Sequence, residues 1–213
     1  MEIVTCRDFQ DFFKKDKINC FYGDILEIVK MDLDIDGIEY DDEYTVKRFL
    51  NGVHIKNNPR IEPILKYLNL NTNILKQKIN TLSKVSLKYV LLAYVLINNY
   101  ENIIFDHFEI GLSFSEQTKF IKILHELVKD GKKVLVISRD LVFMSQLSFN
   151  VTIYKENELP YEANIIDLAK NDEKLVEDEE IVKFIKLANS HGANLEFTLD
   201  SKELLKDIYR SVV

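Results

Sequence analysis

Apolar residues follow two alternating patterns along the chain, and these patterns predict strands and helices in turn. Short continuous apolar runs are typical of buried strands, whereas apolar residues that recur every three or four positions are typical of amphipathic helices. The first part of the chain predicts three strands and two helices, over residues 2–6, 18–22, 32–38, 45–50 and 61–68. Asp36-Gly37 is a turn signal that indicates a hairpin, and Asn57-Asn58-Pro59 marks the break between the two helices.

The middle of the chain alternates helices with strands. It predicts helices over 83–98, 113–130 and 141–147, and strands over 102–106, 133–138 and 151–154. Beyond Pro160 the pattern predicts helices alone, over 163–170, 180–189 and 201–211, with an acidic run at 172–180. Continuous apolar strands that alternate with helices are typical of a parallel sheet covered on both faces, so the predicted fold class is α/β.

Composition and charge argue against several functions. The 213 residues are 46% hydrophobic, which is enough for one substantial core with at most a small appendage. A net charge of −7 and the lack of any long Lys/Arg block argue against nucleic-acid binding. No run approaches the roughly 18 apolar residues of a membrane span, and the first five residues show no signal-peptide pattern, so we expect a cytoplasmic protein.

Cysteine and histidine residues give no candidate metal site. Cys6 and Cys20 lack ligand-like spacing and are expected to be buried or half-buried thiols. His54, His125 and His191 are scattered along the chain, which favours surface or hydrogen-bonded histidines over metal ligands. The sequence therefore predicts no bound metal through these residues.

An ordered series of motifs occupies the second half of the chain. A helix is followed by Ile103-Ile104-Phe105-Asp106, then by Gly111-Leu112, then by a long helix and a strand that ends in Ile137-Ser138-Arg139-Asp140. This series resembles the second half of the ATPase, or nucleotide-binding, subunits of ABC transporters. The resemblance implies a P-loop-NTPase-like fold with a mainly parallel sheet, an α-helical signature region and a small α-helical C-terminal extension. It also implies ATP and Mg²⁺ as the cofactors of the family.

The resemblance gives each motif a family role by its position. Leu82-Ser83-Lys84-Val85-Ser86 stands at the signature motif, and Gly111-Leu112-Ser113 stands at the D-loop. Asp106 matches the Mg²⁺-side carboxylate at the end of the Walker B strand, His107 stands at the catalytic glutamate, and Arg139 stands at the switch histidine. Asp106 is explained equally well as a strand-end residue that caps the following turn.

These positions depart from the family in ways that remove chemistry. His107 lacks the fixed negative charge with which a glutamate polarises the attacking water, although a neutral imidazole can accept a proton. Arg139 carries a permanent charge with a longer reach, so it could still contact a phosphate. Ser113 replaces the D-loop aspartate, and Lys84-Val85 replaces the two signature glycines. No catalytic residue is assigned, and we expect the protein to be catalytically inactive.

Glycine spacing excludes a phosphate-binding loop without reference to any family. Such a loop follows the pattern G-x-x-x-x-G-K-[ST], because closely spaced glycines let consecutive amides surround a phosphate. None of the six glycines has another glycine five positions away, and the only Gly-Lys pair, Gly131-Lys132, lies in a helix-to-strand turn. After the strand at 18–21 the chain reads Tyr22-Gly23-Asp24, and no glutamine loop is visible between Gly37 and Thr45. The sequence predicts that Walker A is absent.

The C-terminal part carries a narrower resemblance. The segments 179–192 and 198–205 resemble the C-terminal extension of energy-coupling-factor and cobalt-type ATPase subunits, which joins two ATPases. The segment 44–52 resembles the one that follows the glutamine loop in those proteins and helps to face the membrane subunit. The predicted domains are a degenerate ABC ATPase-like domain (1–160, with a helical signature subdomain at about 44–98) and a helical dimerisation extension (161–213).

These observations support three functional hypotheses. The first is a pseudo-ATPase that acts structurally or as a regulator in an ABC or energy-coupling-factor-type membrane transport complex. The second is the active half of a heterodimer, in which Leu82-Ser83 supplies a weak signature motif to a partner with intact Walker motifs. The third is a regulator outside transport that binds an intact ATPase. The implied partners are an intact homologous ATPase subunit, in a homo- or heterodimer, and an integral membrane subunit that holds the protein at the inner face of the membrane.

Overall fold

The computed structural model describes residues 3–6, 14–24, 35–52, 57–154, 160–171 and 180–212. Several sequence predictions lie outside the described residues. They are residues 2 and 32–34 of two predicted strands, the acidic run at 172–179, His54 and the side chain of Cys6.

A seven-stranded sheet forms the centre of the described part of the protein. Its strands are β1 (Ile3–Cys6), β2 (Ile18–Tyr22), β3 (Ile35–Gly37), β4 (Asn102–Asp106), β5 (Lys133–Ser138), β6 (Asn150–Ile153) and β7 (Tyr161–Asn164). Their spatial order is β3-β1-β4-β5-β2-β6-β7. The four adjacent strands β4, β5, β2 and β6 are parallel, whereas β1 pairs antiparallel with β3 and β4, and β7 pairs antiparallel with β6. The predicted α/β class with a mainly parallel sheet is confirmed, with antiparallel strands at both edges.

The described helices cover the sheet and form two helical regions, one between β3 and β4 and one after β7. They are α1 (Val46–Asn51), α2 (Ile61–Tyr67), α3 (Lys84–Asn98), α4 (Phe114–Lys129), α5 (Leu141–Ser145), α6 (Ile165–Asn171), α7 (Glu180–Ser190) and α8 (Ser201–Val212). Two 3₁₀ turns, Thr72–Lys76 and Ile79–Thr81, precede α3. Among the described residues, no helix combines the length and the apolar character that crossing a membrane requires.

The central strands form because their apolar runs can be buried on both faces. Inside β5 the residues from Val134 to Ser138 are all buried, and so are Ile103 to Phe105 of β4. Helix α4 covers the sheet with its apolar stripe, which includes Phe120 and Leu124. Its start is determined by Ser113, which forms a capping box with Glu116. The strand ends are therefore held by a rigid core.

The described residues between β3 and β4 form three helices and two 3₁₀ turns, as expected for the predicted helical signature region. Helices α1 and α2 pack against α3, and the buried side chains of Val46, Leu65 and Leu92 join the main core. Helix α3 begins at the cap residue Ser83 and ends at Asn99, whose φ of 56° is left-handed. The long apolar face of α3 explains why this region packs as part of the main body.

Helices α7 and α8 form a small second cluster. Ile185, Leu195 and Leu204 are buried against one another, while Val182 and Leu199 reach into the main core. The helices predicted over 180–189 and 201–211 are therefore present, and they pack on the sheet-bearing part of the protein.

Two sequence predictions are wrong. Asp36-Gly37 is not a hairpin turn, because both residues lie inside β3 and pair with Thr5 and Val4 of β1. The region beyond Pro160 is not helical throughout, because Tyr161–Asn164 forms the edge strand β7 beside β6. In both places backbone pairing with a neighbouring strand of the sheet outweighs the local preference of the residues.

Candidate functional site

Three charged side chains meet where the central parallel strands end. Asp24 lies two residues after β2, His107 one residue after β4, and Arg139 one residue after β5. Strand β5 lies between β4 and β2 in the sheet, so the three chain ends are neighbours. In α/β proteins this carboxyl edge of the sheet is the usual position of a binding site.

Asp24 is the centre of this cluster. Its Oδ1 lies 3.1 Å from Nε2 of His107, and its Oδ2 accepts a hydrogen bond from the guanidinium of Arg139. One carboxylate thus bridges two cationic or hydrogen-bonding groups that come from two different strand ends. We call Asp24, His107 and Arg139 the Asp24 cluster.

Gly23, the residue between β2 and Asp24, is also bonded to the sheet. Its backbone N–H donates to the carbonyl of Ser138 at 3.2 Å, which extends the pairing of β2 with β5 beyond the last strand residue. Because this amide is used inside the sheet, it does not point outward toward a ligand. Asp24 follows directly and turns its carboxylate to His107 and Arg139.

A buried carboxyl group lies beneath the cluster. Glu109 is only 4% exposed, and Ser138 donates its hydroxyl to Glu109 Oε1 at 2.5 Å. Its other oxygen, Oε2, has no hydrogen-bond partner among the described residues. Burial raises the pKa of Glu109, while the Ser138 hydrogen bond and the nearby imidazole of His107 act in the opposite direction. The net effect raises the pKa, so this carboxyl group keeps its proton to a higher pH than an ordinary glutamate does.

Replacing Glu109 by glutamine should change how stability depends on pH. Because the pKa of Glu109 is raised in the folded protein, the stabilising effect of its proton is complete below the unfolded-state value, near 4.5, and is lost as pH rises through the folded-state pKa. Glu109→Gln keeps an acceptor for Ser138 but cannot ionise. Urea unfolding from about pH 4 to about pH 8 should show the variant gaining stability relative to the wild type as pH rises.

The matched control for this prediction is Glu101→Gln, a change of the same kind at an exposed position just before β4. Its difference from the wild type should stay nearly constant over the same pH range. A Glu109→Gln variant that loses stability as pH rises would show that the buried carboxylate is stabilised in its charged form.

The turn that carries His107 and Glu109 is held by a buried lysine from α3. Lys88 is 2% exposed, and its ammonium donates to the carbonyls of Phe108 at 2.8 Å and Ile110 at 2.6 Å. His107 itself is left-handed, with φ of 48°, and its N–H donates to the carbonyl of Ile137 at 2.9 Å. These bonds keep a residue that lacks the freedom of glycine in an uncommon conformation beside β5.

The other predicted motif residues make local hydrogen bonds at helix starts. Ser83 caps α3 by accepting from the N–H of Ser86 at 3.1 Å, and it donates to the Ser86 hydroxyl. Ser113 caps α4, and Gly111 has the positive φ of 80° that the turn before it requires. Leu82 and Leu112 are apolar contacts next to these caps, while Lys84 is exposed and Val85 packs against the main core. The observed role of both segments is to start a helix.

Asp106 is the last residue of β4 and lies opposite Ile137 of β5. Its side chain is half-buried at the same sheet edge as the Asp24 cluster. In the described part of the chain, no group of three or more His, Cys, Asp or Glu side chains is arranged to hold a metal ion. The Mg²⁺-side role of Asp106 stays a prediction from the resemblance.

Comparison with solved structures identifies the fold. Over 83% of this chain and 88% of the other, it superposes on a protein assigned as a metal-chelate-type ABC transporter in an inward-facing conformation, with a TM-score of 0.59 and 14% identity. MJ1267, an ATP-binding cassette of an ABC transporter, gives a TM-score of 0.56 and 16% identity, over 83% of this chain and 98% of the other. The chain has the fold of an ATP-binding cassette.

A third match and two negative results complete the comparison. The bacterial ABC transporter cassette MJ0796, determined as a dimer, matches with a TM-score of 0.51 and 20% identity over 71% of this chain and 64% of the other. No protein-family model matches the sequence, and no curated protein matches it. The cassette fold is therefore visible in the arrangement of the backbone, at sequence identities of 14–20%.

Within the cassette fold, the structure adds three residues that the sequence analysis missed. The turn after β4 contains Glu109, which accepts from Ser138, and it is contacted by Asp24 and Lys88. A signal existed for two of them: Lys88 is a charged residue on the apolar face of a helix, and Asp24 follows a predicted buried strand. Glu109 stands in a polar turn, where nothing in the sequence marks a buried carboxyl group.

Proposed function

We propose that this protein is a pseudo-ATPase, a subunit with the cassette fold that does not bind ATP and that acts structurally or as a regulator in a membrane transport complex. The observation that carries the proposal is the connection after β2. That strand is followed by a single glycine, Gly23, and the next glycine is Gly37. The amide of Gly23 is bonded to the carbonyl of Ser138 and cannot also face a phosphate, and the sequence after β2 lacks the second glycine of a phosphate-binding loop.

The residues at the sheet edge do not fit a nucleotide with Mg²⁺. A phosphate-binding site offers amides and cations to a negative ligand, whereas the two groups at this edge that could contact a phosphate, Arg139 and His107, are both hydrogen-bonded to the carboxylate of Asp24. His107 takes the place that the resemblance assigns to the catalytic glutamate, and it is bonded to Asp24. These features support a protein that keeps the cassette scaffold without its reaction.

The proposed partners are an intact homologous ATPase subunit and an integral membrane subunit, with this protein at the inner face of the membrane. Four large apolar side chains of α7 and α8 are exposed, while the opposite faces of these helices are buried. They are Phe184, Leu187, Leu205 and Tyr209. An exposed apolar surface of this kind suits a protein contact, which supports the extension as the dimerisation element, in a homodimer or a heterodimer.

Calorimetric titration with ATP and Mg²⁺ tests the central claim. We expect no heat of binding from the isolated protein, under conditions in which an intact ATP-binding cassette binds ATP. Micromolar binding of ATP to the wild-type protein would contradict the pseudo-ATPase proposal.

Purification of the complex distinguishes a transport role from a regulatory one. A stable complex that contains both an intact ATPase and a membrane subunit supports a structural role in transport. A complex with the ATPase that excludes the membrane subunit supports regulation outside transport.

A second candidate function is the active half of a heterodimer, and one observation favours it. Ser83 is exposed at the start of the 15-residue helix α3, where the first amides of the helix can face a phosphate bound by a partner. In this case Ser83→Arg would abolish the ATPase activity of a co-expressed partner with intact Walker motifs. Unchanged partner activity would exclude this candidate.

A further inference from the structure

The Asp24 cluster has the composition of an anion-binding site that already contains an anion. We propose that the carboxylate of Asp24 is a built-in ligand that occupies an oxyanion site formed by Arg139 and His107, and that removing this carboxylate opens the site to inorganic phosphate. This inference rests on the proposed absence of nucleotide binding in the wild-type protein. It explains why Arg139 and His107 bind no phosphate there.

The hydrogen-bonding pattern of Asp24 supports this assignment. Each carboxylate oxygen has its own partner: Oδ1 faces the imidazole of His107 at 3.1 Å, and Oδ2 accepts from the guanidinium of Arg139. A phosphate presents oxygens of the same charge and acceptor character to such donors. The carboxylate and a phosphate are therefore competitors for the same two groups.

The cluster is accessible and rests on rigid supports. The side chains of His107, Asp24 and Arg139 are 24%, 45% and 58% exposed, so an ion from solvent can reach them. His107 and Arg139 directly follow β4 and β5, which pair over the whole length of β4, and the His107 amide is bonded to Ile137. Loss of the Asp24 side chain should leave these two donors in place.

The local charge explains why the carboxylate of Asp24 decides whether phosphate binds. In the wild-type protein a phosphate would lie against Asp24 itself, with Asp106 and Asp140 at the same sheet edge. Replacing Asp24 by asparagine removes the nearest negative charge and leaves Arg139 facing only a neutral amide oxygen, which a phosphate can displace to form a charge-assisted hydrogen bond. Such bonds correspond to a gain in affinity of roughly tenfold or more.

The experiment is a titration with inorganic phosphate, followed by calorimetry and by ³¹P NMR line broadening. Four proteins are compared: the wild type, Asp24→Asn, Asp42→Asn and the double variant Asp24→Asn/Arg139→Gln. Asp42 is an exposed aspartate of the loop before α1, so its replacement makes the same change in net charge elsewhere. Circular dichroism confirms that each variant is folded, and Asp24→Ser replaces Asp24→Asn if the latter does not fold.

We expect phosphate affinity to rise at least about tenfold in Asp24→Asn, to stay at the wild-type level in Asp42→Asn and to be lost again in the double variant. A folded Asp24→Asn variant with wild-type affinity overturns the inference, and so does a gain that persists without Arg139. These results leave the pseudo-ATPase proposal untouched. That proposal fails separately, if the wild-type protein binds ATP with Mg²⁺.

Discussion

Replacing Phe120 by alanine should lower the free energy of unfolding by about 3–5 kcal/mol. Phe120 is fully buried in α4, and its ring lies 4.3 Å from that of Phe108 and 5.1 Å from that of Phe105. The ring of Phe143 in α5 is nearly parallel to that of Phe120, with ring centroids 6.4 Å apart. The substitution would leave a cavity at the centre of an aromatic cluster that joins α4, α5 and β4. Urea denaturation at constant pH measures the loss through the shift of the midpoint.

Phe114→Ala is the matched control, because the same side chain is removed from the same helix at a position that is 73% exposed. Its cost should stay within about 0.5 kcal/mol. Equal losses in the two variants would show that the aromatic cluster does not form as described.

Replacing Lys88 by methionine should destabilise the protein by about 2–4 kcal/mol. Methionine matches the length of the lysine side chain but cannot donate to the carbonyls of Phe108 and Ile110, which would lose their hydrogen bonds from the ammonium inside the protein. The bonds join α3 to the turn after β4, and the substitution should also loosen the position of His107. Thermal and urea unfolding measure the first effect, and the NMR signals of the His107 ring report the second.

Lys84→Met controls for the loss of a positive charge on the same helix. Lys84 lies one turn earlier on α3 and is exposed, so its replacement should change stability by less than about 0.5 kcal/mol. If Lys88→Met is no more destabilising than Lys84→Met, the buried ammonium does not hold the turn. A stability loss with unchanged His107 signals would restrict Lys88 to a role in the core.

The central strands were predictable because their signal is local. The predicted bounds 18–22, 102–106 and 133–138 agree with β2, β4 and β5, since a strand buried on both faces needs a continuous apolar run. The edge strand β7 was not predictable in this way. Tyr161–Asn164 is mostly exposed and carries no apolar run, so its strand conformation depends on backbone bonds to β6.

The candidate site was likewise predictable only where its signal is local. Its positions at the ends of β4 and β5 followed from the order of motifs in the sequence, which placed Asp106 at the end of one predicted strand and His107 and Arg139 directly after two predicted strands. The role of Asp24 did not follow, because it lies 83 residues from His107 and 115 from Arg139 along the chain. Contacts over such separations depend on the order of strands in the sheet.

The sequence by itself determined most of the local elements and the alternation that makes an α/β protein, and its glycines lack the spacing of a phosphate-binding loop. These properties depend on apolar periodicity and on which residues can adopt which backbone conformation. Only the tertiary structure decided that Asp24 meets His107 and Arg139, that Glu109 is buried, and that Lys88 supports the turn between them. Burial and ion pairing are properties of side chains that the sheet brings together. The strand order β4-β5-β2, on which these contacts depend, cannot be predicted from any local run of residues.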